Sequence, residues 1–303
     1  MVTDDRADLS HLHPAAQAIA RLPSAERLQY VRADRWIGYT RATEALARME
    51  ALFAWPSRQR MPNLLLTGPT NNGKSMIIEK FRRAHPPVSH EDREEIPVLA
   101  VQMPSDPSVG RFYTVLLAAT GAPLRAGSPR VAGLEQVALR VLRAVGVRVL
   151  VIDELHNLLS GRGDRRREFL NLLRFLGNEL RIPLVGVGTR EAYLAICSDD
   201  QLENRFAPFP LPRWGAGPEA CSLLASFAAS FPLRRPSRIA TPEMAGYLLT
   251  RSEGTIGELA HLLTDAAVEA IESGEEAISQ RTLLMADYAG PTERRRMFER
   301  ELA

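Results

Sequence analysis

The stretch LTGPTNNGKSMIIEKF, residues Leu66 to Phe81, decides how the rest of the chain is read. Residues Gly68 to Ser75 spell G-x-x-x-x-G-K-S, the pattern of a loop that cradles phosphates between a buried strand and a helix. Both flanks fit. NLLLTG before it is a short apolar run bounded by turn formers, which predicts a buried strand, and KSMIIEKFRRAH after it predicts a helix. Gly68 and Gly73 allow a tight turn and the close approach of a ligand. Asn71 and Asn72 suit the left-handed conformations of such a loop. The amides from Thr70 to Ser75 are expected to point at phosphate oxygens, reinforced by the positive end of the helix. Lys74 is placed to bridge the outer phosphates of a nucleotide, and the Ser75 hydroxyl to hold Mg²⁺. Pro69 and Met76 complete the expected nucleotide-binding segment.

Composition sharpens this reading. Only Lys74 and Lys80 are lysines in a chain of 303 residues with 38 Lys and Arg. The arginine bias reflects genome composition, so a lysine in this loop is harder to dismiss as background. With 45% hydrophobic residues the chain can bury a proper core, and its formal charge of +2 is compatible with a nucleic-acid partner without implying one. Cys197 and Cys221 stand far apart in no paired motif, which points to a reducing cytosol rather than a disulfide framework or a zinc site. No apolar run approaches the ~20 residues of a membrane span, and the first residues lack a signal pattern. A cytoplasmic location, away from membranes, is expected.

Outward from the loop, strands and helices alternate. VLAVQM, VRVLVIDE, IPLVGVGT and APFPL read as four further strands, with helix patterns between them. That alternation predicts an α/β P-loop domain, a parallel sheet covered by helices on both faces. Residues 1–38 read as a partly irregular N-terminal extension, a candidate partner contact, and 39–212 as the nucleotide-binding core. At PRWGAGP the composition shifts; 213–290 predict a small all-helical lid, and 291–303 a charged tail.

VLVIDE ends in two acids. Asp153 closes an apolar strand, where open α/β sheets bind ligands, and can coordinate Mg²⁺ through water. Glu154 is then placed to polarise an attacking water as general base. Small-molecule kinases need no second acid, so the pair favours hydrolysis. Thr189 ends the fourth strand and is expected to position water or sense the γ-phosphate, unless it is a plain strand-end threonine. Arg205, in NRF before the fifth strand, is either a surface charge or an arginine finger for a neighbouring subunit's nucleotide, a role that raises rates ~10³–10⁵-fold.

GPTNNGKS, VLVIDE, VGVGT, NRF and a helical lid together resemble an AAA+ ATPase. RADRWIGYTRATEALARMEAL, TNNGKSMIIEKF and IDELHNLLSG narrow the resemblance to TniB, the AAA+ ATPase of a group of DNA transposons, similar to the target-selection ATPases TnsC and MuB. The resemblance implies a protein that binds ATP, forms a homo-oligomeric ring or helical filament on double-stranded DNA, and recruits a TniA-like DDE transposase with a TniQ-like adaptor. Hydrolysis then disassembles the oligomer. It also implies Ile37 and Tyr39 near adenine, with core packing as the other reading. One departure stands out: SEGTIGELAHLL, where such lids often carry an arginine facing the γ-phosphate, has none, and Arg251 lies one turn earlier.

Two arginine sets are candidates for sequence-independent contact with the DNA backbone. One is Arg111, Arg125 and Arg130; the other is Arg165, Arg166 and Arg167. A helicase-loader-type AAA+ protein acting on single-stranded DNA and a helicase ring is the alternative, and a nucleotide-regulated signalling switch a third.

Overall fold

Five apolar runs become five parallel strands: β1 Asn63–Thr67, β2 Val98–Gln102, β3 Val149–Asp153, β4 Leu184–Gly188 and β5 Phe206–Pro210. The computed structural model describes residues 8–122, 130–161 and 163–302. All five residues of β1 and of β4 are buried, the signature of strands covered on both faces. The spatial order is β2-β3-β4-β1-β5. β4, which leads into Thr189, thus lies between the strand that feeds the glycine loop and the strand that ends in Asp153. Thr67 pairs with both Gly188 and Pro210, and Gln102 with Asp153, so the strand ends open on one edge of the sheet. Asn63 helps set this register by accepting a hydrogen bond from the Leu184 amide on Oδ1 at 2.9 Å.

Helices Val109–Ala119, Val131–Ala144, Gly163–Leu180 and Arg190–Cys197 join one core with these strands. Phe112 and Phe169 meet edge to face at 5.0 Å, both fully buried; burial of such a side chain contributes about 1.5–3 kcal/mol. The link between the helix that follows the glycine loop and β2 contains a two-residue antiparallel ladder, Val88–Ser89 with Glu94–Glu95. Leu155–Ser160 forms a 3-10 turn, and Arg165, Arg166 and Arg167 lie in a helix that begins at Gly163.

Contacts divide the chain into two units. Arg41–Pro212 is the sheet unit, while Met1–Thr40 joins Arg213–Ala303 in a helical unit. The early residues are more regular than their sequence suggests, forming helices Pro14–Ala20 and Ser24–Arg32. Arg27 is fully buried there, with hydrogen bonds to the Pro232 carbonyl and an ion pair with Glu276. Helices Pro218–Ser230, Pro242–Arg251, Ile256–Glu272 and Gln280–Met285 supply the rest of this core, and Pro291–Glu301 is a further helix with no buried residue. No helix among the described residues is long and apolar enough to cross a membrane.

Candidate nucleotide-binding site

The glycine loop follows β1 and turns into helix Lys74–Ala84. Gly73 caps that helix at φ 81°, and Asn71 is left-handed at φ 59°, the conformation in which asparagine is one of the few tolerated side chains. Gly73 has no side chain with which to cap the helix, whose positive end faces the loop. Gly68 is fixed by crowding: a Cβ there would lie 2.7 Å from the Leu211 carbonyl oxygen. Asn72 is buried and donates from Nδ2 to the Leu211 and Pro212 carbonyls at 3.0 Å each. The loop is thereby tied to the chain leaving β5.

Lys74 is buried, and its ammonium donates to the Gly68 and Pro69 carbonyls at 3.0 and 2.6 Å. Burial pulls its pKa below the ordinary lysine value, while the charges of Asp153 and Glu154 act in the opposite direction. Those two carboxylates therefore share the loop's electrostatic field. Ser75 Oγ lies 3.4 Å from Asp153 Oδ2, and Asp153 Oδ1 accepts the Glu154 amide at 2.8 Å. Serine hydroxyl and aspartate are hard oxygen donors, few enough to leave coordination places for phosphate and water. No group of three or more His, Cys, Asp or Glu able to cage a metal occurs among the described residues.

Glu154 has φ 56° and ψ 34°, a left-handed backbone that is uncommon for a non-glycine residue. Its carboxylate lies 3.0 Å from His156 Nε2. Thr189 follows β4, and its hydroxyl donates to Glu191, holding that carboxyl below the usual range. A cleft of about 530 Å³ opens beside these groups, lined by Thr67, Gly68, Pro69, Thr189, Glu191 and Leu211 among others. The structure thus gathers Gly68 to Met76, Asp153, Glu154 and Thr189 at the carboxyl ends of three neighbouring strands.

Arg205 is elsewhere. Its carbonyl accepts the amide of Asn63, the first residue of β1. That is the opposite end of the strand, about 16 Å from the loop at the ~3.3 Å rise of a parallel strand. Its guanidinium donates to Asn178 Oδ1 at 2.8 Å and lies in a second hollow with Arg58 and Arg60. Burial lowers its pKa first, and the charges of Arg60 and Arg174 lower it further.

The candidate arginines among the described residues fall on helix starts. Arg111 lies in the first turn of Val109–Ala119, and Arg130 caps Val131–Ala144. Arg165, Arg166 and Arg167 begin Gly163–Leu180. Arg165 pairs with Asp106 at 2.7 Å, which joins the segment after β2 to the segment after β3. Arg125 lies outside the described residues. Ile37 and Tyr39 belong to the helical unit, where Tyr39 packs edge to face on Trp214 at 5.1 Å. Arg251 is engaged there by the Leu283 and Tyr288 carbonyls at 2.8 and 3.1 Å. Sequence reading missed His156 and the tie made by Asn72; a histidine two places after an expected general base was the available signal for the first.

A phosphate loop, two acids at the end of the strand two places away and a threonine after the strand between them define a P-loop ATPase of the AAA+ class. Solved structures share the fold. The ORC1 protein of Aeropyrum pernix, solved in complex with DNA, superposes with a TM-score of 0.59 at 18% identity, covering 85% of this chain and 68% of that one. The ORC2 protein of the same organism gives 0.58 at 15% identity over 84% and 70%. Cdc6p from Pyrobaculum aerophilum gives 0.57 at 14% over 83% and 68%. No curated protein matches the sequence. The family model of the bacterial TniB protein matches residues 27–216, and the chain belongs to the TniB family.

Proposed function

We propose that this ATPase regulates DNA transposition by assembling on double-stranded target DNA in its ATP-bound form. The assembled form recruits a TniA-like transposase with a TniQ-like adaptor, in the bacterial cytosol, and hydrolysis releases it. Within each site the segment Gly68 to Met76 would bind the phosphates through the amides of Thr70 to Ser75, Lys74 would neutralise them, and Ser75 with Asp153 would hold Mg²⁺. Bound Mg²⁺ supplies charge neutralisation for the β- and γ-phosphates. Glu154 takes a proton from the attacking water, and Thr189 orients that water or the γ-phosphate. Ile37 and Tyr39 flank the adenine.

The observation that carries this reading is the placement of Arg205 at the far end of the sheet from its own phosphate loop. It is out of reach in cis, beside Arg58 and Arg60 in a cationic hollow, which suits a neighbouring copy's triphosphate. DNA contact is assigned to Arg111, Arg125, Arg130, Arg165, Arg166 and Arg167, as backbone contacts without base readout. Family membership and the DNA-bound ORC1 neighbour favour this over a helicase loader. Electron microscopy with duplex DNA and a non-hydrolysable ATP analogue tests it: ordered oligomers on duplex are expected. Protein that stays monomeric on duplex at saturating nucleotide and magnesium would overturn the proposal.

A further inference from the structure

His156 has no part in the scheme above, yet it touches the residue on which hydrolysis depends. Its Nε2 lies 3.0 Å from Glu154 Oε2. The other ring nitrogen, Nδ1, is buried with no hydrogen-bond partner among the described residues. It faces β4: a Cβ built on Gly188 would stand 3.4 Å from Nδ1 and 3.3 Å from the His156 amide nitrogen. The imidazole is therefore wedged between the ends of β3 and β4, the strands that deliver Glu154 and Thr189. With an acceptor at Nε2 and none at Nδ1, the ring proton belongs on Nε2, where it donates to the carboxylate.

The turn that carries this ring is fixed. Leu155 and Leu158 are fully buried. Asn157 donates from Nδ2 to the Met103 carbonyl at 3.1 Å and from its amide to the Glu154 carbonyl at 2.9 Å. The Glu154 side chain, 37% exposed, has rotamer freedom that must be removed before its carboxylate can serve one water molecule. The neighbouring Glu191 carboxylate accepts the Thr189 hydroxyl, whereas the contact with the ring nitrogen is made by Glu154.

We propose that His156 is the positioning residue for Glu154. It acts through the glutamate, by a hydrogen bond that holds the carboxylate in one orientation while it accepts a proton from water. The water's oxygen bonds to the γ-phosphorus, the bridging oxygen departs with ADP, and the histidine itself exchanges no proton. This inference rests on Glu154 being the general base.

The test is steady-state hydrolysis by the full chain with Mg–ATP and duplex DNA, alongside the affinity for a fluorescent ATP analogue. His156→Ala is expected to lower kcat about 10-fold or more, with KM and nucleotide affinity within about 2-fold of wild type. His156→Gln, which keeps an amide donor, should retain most of kcat. In a Glu154→Gln background, His156→Ala should cost nothing further, because its effect passes through that carboxylate. Unchanged or increased kcat in His156→Ala, an equal loss in His156→Gln, or a parallel loss of nucleotide affinity would each overturn the proposal. A wild-type rate in Glu154→Gln would instead remove the general base itself. An inactive Glu154→Gln beside a fully active His156→Ala sinks the positioning role alone.

Discussion

Gly68 and Lys74 set the tolerance of the phosphate loop. A methyl group at Gly68 would press on the Leu211 carbonyl at 2.7 Å, and backbone cannot yield as a flexible side chain can. Gly68→Ala is expected to cost about 1–3 kcal/mol of stability, read by urea denaturation, with weaker binding of a fluorescent ATP analogue. Lys74→Ala removes the buried ammonium from between the loop carbonyls and the field of Asp153 and Glu154. Nucleotide-dependent retention of duplex DNA in filter binding is expected to disappear with it, and unchanged retention would count against ATP-driven assembly. At this scale the sequence was most legible where chemistry is local. Gly68 to Ser75 is one contiguous motif whose geometry follows from its own residue types. Asp153, Glu154 and Thr189 were legible because each ends an apolar run. His156 was not, because its position acquires meaning only once β4 lies beside β3 and Gly188 closes against the ring.

Elements were legible in proportion to how cleanly they separate apolar from polar residues. Each of the five strands is a short apolar run, and each was found. Helix Ser24–Arg32 was not, since among its nine residues only Arg27 and Val31 are buried and one of those is charged, so no apolar stripe marks it. Its anchor is the Arg27–Glu276 pair and the Pro232 carbonyl. Arg27→Ala leaves Glu276 without its cationic partner, and a loss of about 3–5 kcal/mol is expected. It should appear as earlier unfolding of the helical unit in circular dichroism. Tyr39, in the same unit, gives a pH signature. Burial, assisted by Glu219, pushes its phenol up to about 12, against about 10 for an exposed tyrosine. The folded state then keeps the proton while the unfolded chain releases it. Its contribution is intact below pH ~10 and is lost as pH rises toward 12. Urea midpoints measured across that window should fall less steeply for Tyr39→Phe than for wild type.

For the whole molecule, the decisive arrangement is the separation of the phosphate loop from Arg205 along the sheet. Arg205→Ala is expected to bind ATP as a monomer but to hydrolyse it slowly at any concentration. A wild-type rate per subunit at high concentration would exclude a trans role. Mixing supplies the complementary measurement. Lys74→Ala and Arg205→Ala should each be inactive alone, yet an equimolar mixture should regain activity at about one junction in four, the frequency of the productive pairing in a head-to-tail assembly. Silence in the mixture would show that the two residues do not serve one site. None of this was readable as distance in the sequence, where Arg205 is simply a charged residue before the last strand; only the parallel pairing of β5 with β1 sends it to the far end.

That polarity has a bearing on turnover. Copies joined front to back in an open row, as proposed, would leave one unaided phosphate loop at one tip and one unused arginine at the other, and only closure into a circle would remove both. The copy whose loop lacks a donor would keep its triphosphate longest and so stay ready to receive another copy. Interior copies would spend theirs at the junctions, so such a row would come apart at its joints while that tip stays able to grow.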